Sequence, residues 1–113
     1  MAIQTAAMRN ILAAEYGATA THAALYSTTP GGTPGTELSG GSPAYARRAL
    51  SWTGTNPITA TPTAFDIESG DTVAGAGVHS AITAGTYYDG ADLTDQAFAS
   101  QGTYALTLTY TQS

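Results

Sequence analysis

"TYALTLTYT", residues 103–111, alternates without a break. In an extended chain Tyr104, Leu106, Leu108 and Tyr110 share one face, and Thr103, Ala105, Thr107 and Thr109 share the other. A strand with one apolar and one polar face needs a core on one side only. That is the situation of a strand in an antiparallel sandwich or barrel. Further strand-like stretches lie upstream: "THAALYST" (21–28), "AYARRALSW" (44–52), "ITATPTAFDI" (58–67) and "DTVAGAGVHSAI" (71–82). "GTYYDG" (85–90) and "QAFAS" (96–100) read as short strands. Gly, Pro, Asn and Asp punctuate this region roughly every 8 to 14 residues, which is the rhythm of an all-β domain. Pro62 lacks a ladder donor, so its strand must be at an edge or bulged. The Gly-rich stretch 71–82 fits a central strand on which another backbone lies closely. Asp89-Gly90 is a hairpin signal.

The expected architecture is therefore mainly β. It is a single antiparallel β-sandwich, jelly-roll or immunoglobulin-like, of about seven or eight strands with one N-terminal α-helix. Residues 1–17 form the helix and 18–113 the sandwich, all in one domain 1–113. In "IQTAAMRNILAAEYG" (3–17), Ile3, Ala7, Ile11 and Leu12 recur at helical spacing with Met8 beside them, and Gly17 is a natural stop. Such a helix is marginal alone and must lie on something. The longest loop, 29–43, carries two Pro-Gly units and reads as an excursion from the body.

Composition narrows the function. There is no cysteine, so disulfides and thiol chemistry are excluded. Net charge is -5 with three Lys and Arg in total, which argues against nucleic acid. No apolar run is long enough to span a membrane. Nor does the start of the chain resemble a signal peptide, so a protein made in the cytoplasm is expected. The 42% hydrophobic content with seven tyrosines describes a folded chain. Its surface of Thr, Ser, Ala and Gly suits packing in a fixed assembly.

Enzyme chemistry has thin support. His22 and His79 are the two histidines, and no G-x-S-x-G elbow accompanies them. Asp89, Asp92 and Asp95 are spaced for a loop cation site, but not as an EF-hand; a turn explains them as well. No catalytic residue, cofactor or metal is expected. Tyr45, Trp52, Tyr87 and Tyr88 could form a sugar platform or simply be core. Arg47 and Arg48 are adjacent, so on a strand they point to opposite faces. Arg48 shares its face with Leu50 and Trp52 and must be at the rim, paired, or stacked. Arg47 faces outward and could meet a carboxylate of a partner. Alternatively, both tie the long loop to the sandwich. Asp66, Glu68 and Asp71 are candidate charge partners.

"AALYSTTPGGTPGTELSGGSPAYARRALSW" (23–52), with "GTYYDGADLTDQAFASQGTYALTLT" (85–109), resembles a set of small virion structural proteins of actinobacterial tailed phages. The resemblance covers nearly the whole chain, and Glu37 to Trp52 is its most specific part. It implies a virion part, described for such proteins as head decoration, minor tail or tail fibre. The expected function is a capsid decoration protein on the capsid exterior, bound to the major capsid protein and forming a homo-oligomer such as a trimer. The alternative is a minor tail or tail-fibre subunit with a host-surface carbohydrate-binding role. Glu37, Tyr45, Arg47, Arg48 and Trp52 are the expected partner contacts.

Overall fold

A computed structural model describes residues 4–113. It is mainly β, with one helix and nine strands among the described residues. The helix α1 (Ala6–Thr19) is followed by β1 (His22–Tyr26), β2 (Arg48–Ala49), β3 (Thr53–Gly54), β4 (Ile58–Ala60) and β5 (Phe65–Ile67). Then come β6 (Thr72–His79), β7 (Tyr87–Ala97), β8 (Gly102–Tyr104) and β9 (Leu108–Tyr110). One layer is the antiparallel sheet β2-β1-β6-β7. The other is made by two long segments running against each other. β4 pairs β9 with Ala60 opposite Leu108, and β5 pairs β8 with Phe65 opposite Tyr104. Residues 61–64 therefore face 105–107, and the register slips by one across this unpaired stretch, which holds Pro62. The proline has no N–H to offer a ladder, and a bulge absorbs the loss. The hydroxyls of Thr61 and Thr107, 3.2 Å apart, bridge the gap.

The core lies between these layers in a sandwich-like arrangement. Ala23 and Leu25 from β1 and Val73 and Ala76 from β6 meet Phe65, Ile67 and Leu106, with Leu38 closing one end. Leu25, Phe65 and Ile67 are fully buried, each contributing about 1.5–3 kcal/mol. The alternation of 103–111 survives although β8 and β9 are separate strands. Leu106 is buried, Tyr104, Leu108 and Tyr110 are half-buried, and the intervening threonines and Ala105 are exposed.

The helix departs from expectation. It does not stop at Gly17 but runs to Thr19, capped at its start by the Thr5 hydroxyl accepting from the Met8 amide at 3.2 Å. Gly17 is needed for contact instead: a Cβ there would come 3.2 Å from both Ile58 and Trp52. The face turned inward carries Ala13, Tyr16, Gly17 and Ala20, whose small residues allow that approach. The bulkier stripe faces solvent: Met8, Ile11 and Leu12 are 47%, 61% and 37% exposed, and Ala7 is exposed too. Ile3 lies outside the described residues.

Three other expectations are corrected. Within 44–52 only Arg48–Ala49 pairs as a strand, because beyond Ala23 that edge of β1 is taken by Glu37 and Leu38 of the loop. Asp89-Gly90 is not a turn but lies inside the 11-residue β7, with Gly90 opposite Gly77. A Cβ at Gly90 would come 2.2 Å from the Tyr87 hydroxyl and 2.9 Å from Pro30, so close packing demands the glycine. Nor is the loop 29–43 an excursion. Ser27 N–H donates to Thr36 O at 2.8 Å, Leu38 N–H to Leu25 O at 3.1 Å, and Pro30 is buried over β6. The loop is a lid on the second face of the four-stranded sheet.

β7 is the outer edge of that sheet, and long edges invite pairing with other chains. Asp89, Asp92 and Asp95 are symmetric about Asp92. Antiparallel pairing of two copies centred there would set aspartate against aspartate, which disfavours it.

Candidate functional site

The sheet's second face is built from alternate residues. Register places His22, Ala24 and Tyr26 of β1 beside His79, Gly77 and Gly75 of β6. The two small rows leave room for rings, and the Tyr26 ring lies over Gly77. The Tyr26 hydroxyl and His79 Nε2 share a short hydrogen bond. Tyr87 packs edge-on to both rings, and its hydroxyl donates to Gly31 O at 2.7 Å, pinning the lid.

Next to this aromatic group sits the expected contact cluster. Glu37 bridges to Tyr26 in backbone register. Arg47 donates Nε to Glu37 Oε2 and Nη2 to Glu37 Oε1, both at 2.9 Å, in a two-pronged ion pair. Arg47 Nη1 donates to Ala81 O and Ala84 O at 3.1 and 2.7 Å. Ala84 is a non-glycine residue in the left-handed region, φ 51, and Arg47 holds the turn that requires it. The Tyr45 hydroxyl donates to Glu37 Oε2 at 2.8 Å and accepts from the Leu25 amide at 3.0 Å, while its ring stacks on Phe65. One guanidinium thus joins the lid, the strap before β2 and the hairpin 80–86.

Three of the five expected contacts, Glu37, Tyr45 and Arg47, therefore come together, and the other two sit elsewhere. Arg48 reaches across the sandwich to Asp66 Oδ2 at 3.1 Å and Ala64 O at 3.2 Å, joining β2 to the β5 region. Pairing across the two layers is how that arginine avoids an unmatched charge on the core side. Trp52 seats the end of α1, its indole N–H donating to Ala20 O at 2.8 Å. The expected sugar platform is dispersed: Tyr45 and Tyr87 are tied into the fold and Trp52 is half-buried, while Tyr88 is 49% exposed. The three aspartates do not gather, because strand geometry puts Asp89 and Asp92 on opposite faces. Asp89 accepts from Tyr16 at 2.8 Å and Asp92 from Thr29 at 3.1 Å. Among the described residues no group of three or more His, Asp or Glu is placed to hold a metal ion. No helix among them is long and apolar enough to cross a membrane.

Electrostatics fit a structural cluster. Burial alone would raise the Glu37 carboxyl, but hydrogen bonds from Arg47 and Tyr45 outweigh it and hold it below 4.5. Burial raises Tyr26 to about 12. Burial and then the nearby Arg47 charge push His79 below 6.5, against the opposing pull of Glu37. His79 Nδ1 is buried with no hydrogen-bond partner, so an imidazolium would leave an N–H unsatisfied there. The sign follows. The unfolded chain takes up a proton near pH 6.5 that the folded chain refuses, so stability falls as pH drops through 6.5 and levels off below the folded value. Glu37 adds stability that is whole above pH 4.5 and is lost as pH falls through its lowered value. Urea midpoints measured across pH should decline in these two stages. His79→Gln should flatten the first stage and leave the second, and an unchanged first stage would refute the assignment.

Sequence reading missed the Tyr26–His79 pair and the inward face of α1. Ala13, Tyr16, Gly17 and Ala20 have the i, i+3, i+4, i+7 spacing that would have revealed that face. No protein-family model, curated protein sequence or solved structure matches this chain.

Proposed function

We propose that this protein is a structural component of a phage virion, a capsid decoration protein that binds the outer face of the major capsid protein lattice. The observation that carries this reading is the outer face of α1. Met8, Ile11 and Leu12 form an apolar stripe that the fold leaves in water, on a chain with only 10% charged residues. The first two turns of α1 carry no fully buried residue, so that end of the helix is open to a partner. The arginines are a weaker contact candidate, because Arg47 and Arg48 are already paired within the chain. The docking role therefore moves to α1. Binding only to the assembled lattice would stabilise that state by mass action, summed over many copies.

Copy number in purified virions, relative to the major capsid protein, tests the placement. Hundreds of copies in fixed ratio support decoration. A handful would favour the tail or fibre reading. Ile11→Asp, at a 61% exposed position, should leave folding intact and weaken binding to undecorated capsids by at least about tenfold. Binding that is unchanged would remove α1 from the interface.

A further inference from the structure

A second surface adjoins the docking stripe at Leu12. Between the flank of α1 and the end of β9 is a cleft of about 300 Å³, lined by Leu12, Glu15, Tyr16, Thr19, Tyr88 and Tyr110 among others. Its back wall is rigid. Tyr16 and Tyr110 stack at 3.8 Å with their planes 8° apart. The Tyr16 hydroxyl is held by Asp89 at 2.8 Å, and the Tyr110 hydroxyl is bonded to Gln112. These rings are fixed before any ligand arrives.

The groups at the mouth are not committed in this way. Tyr88 is 49% exposed, and its hydroxyl has no hydrogen-bond partner among the described residues. The hydroxyls of Tyr16, Tyr26, Tyr45, Tyr87 and Tyr110 all have one, and Tyr104, the other tyrosine without, lies away from the cleft. The Glu15 carboxylate accepts one long bond, 3.4 Å, from the Thr19 hydroxyl. The cleft thus offers aromatic surface beside a free phenol, a lightly used carboxylate and a hydroxyl. An aliphatic ligand would desolvate those polar groups without return. An anion would meet Glu15 with no arginine or histidine lining the cleft, on a chain of net charge -5.

We propose that this cleft binds a neutral saccharide. The C–H face of a pyranose lies on the Tyr88 ring, and its hydroxyls bond to Glu15 and Thr19. Ligand sites commonly combine an apolar wall with a few fixed polar groups, and this volume is at the small end of their range. Leu12 borders both the cleft and the docking stripe, whereas Ile11 does not line the cleft, so a change at Ile11 tests docking without altering the cleft wall.

Trp52 supplies the readout. It is the one tryptophan in the chain and sits edge-on to Tyr16, 5.7 Å between centroids. Maltotriose, cellotriose and chitotriose should be titrated against the whole protein by tryptophan emission and calorimetry, with 3′-sialyllactose as an anionic comparison. At least one neutral trisaccharide should give a saturable response with Kd of about 1 mM or below. Tyr88→Ala should weaken it about tenfold, and Tyr88→Phe less, with unfolding midpoints unchanged. No saturable response from any of the three up to about 10 mM would overturn the proposal. So would equal binding by Tyr88→Ala, or tighter binding of sialyllactose than of the neutral sugars. Ile11→Asp should leave saccharide binding intact, which separates failure of this site from failure of the docking stripe.

Discussion

Arg47→Ala is expected to destabilise the fold by about 3 kcal/mol, read as a drop in urea midpoint at constant slope. The variant removes a two-pronged ion pair and both hydrogen bonds to Ala81 and Ala84. It also leaves the Glu37 carboxylate, 27% exposed, without its counter-charge. Stranding that charge accounts for most of the cost. Arg47→Lys should recover little, because one ammonium cannot span two carboxylate oxygens and two carbonyls. Adding Glu37→Gln to Arg47→Ala should recover part of the loss by removing the stranded charge. Arg48→Ala is the internal control. Its pair with Asp66 is 27% and 23% exposed, and its loss should cost about 1 kcal/mol or less. Equal, small effects at the two arginines would show that the clamp contributes nothing special. The contrast also bears on function: reversing both charges together would perturb the hairpin 80–86, and lost capsid binding in that variant would not identify a contact.

The β character was legible because it rests on local alternation. Residues 103–111 keep their two faces even where the ladder breaks, and Pro62 marked the irregularity where it occurs. Leu25, Val73 and Phe65 lie in the core as strand patterns require. Where reading failed, a contact distant in sequence decided. Gly17 looked like a helix stop but is a packing surface for Trp52, 35 residues later. Asp89-Gly90 looked like a turn but answers to Pro30 and Tyr87 lying over the sheet. The helix face was misassigned because hydrophobicity was weighed above size, and close approach to Ile58 selected small residues. For the candidate site, the pairing rule for Arg48 was legible, since a guanidinium on a core-facing strand position must find an anion. Its partner Asp66 was one of several options. The convergence of Tyr16, Tyr88 and Tyr110 was not legible, because it depends on how α1 docks beside β9.

Gly75→Ala is expected to cost about 2 kcal/mol, and the reason is one ring. A Cβ at Gly75 would stand 2.2 Å from Cδ of Pro30, with the Ala91 carbonyl oxygen at 3.1 Å. The strand cannot yield, since β6 is paired on both sides. The proline cannot yield cheaply either. Thr29 is bonded to Asp92 at 3.1 Å and Gly31 to the Tyr87 hydroxyl at 2.7 Å, so the lid is pinned on either side of the ring. Pro30→Ala alone should cost about 1 kcal/mol through lost packing. If the ring is the obstacle, the double variant should cost less than the sum of the two single ones, by about 1 kcal/mol or more. Strict additivity in that cycle would mean that Gly75 serves some purpose other than admitting Pro30. A shortfall would show that two glycine-lined strands and one proline fix the lid over β6 and β7, and that the smooth row in "VAGAG" (73–77) exists to receive it.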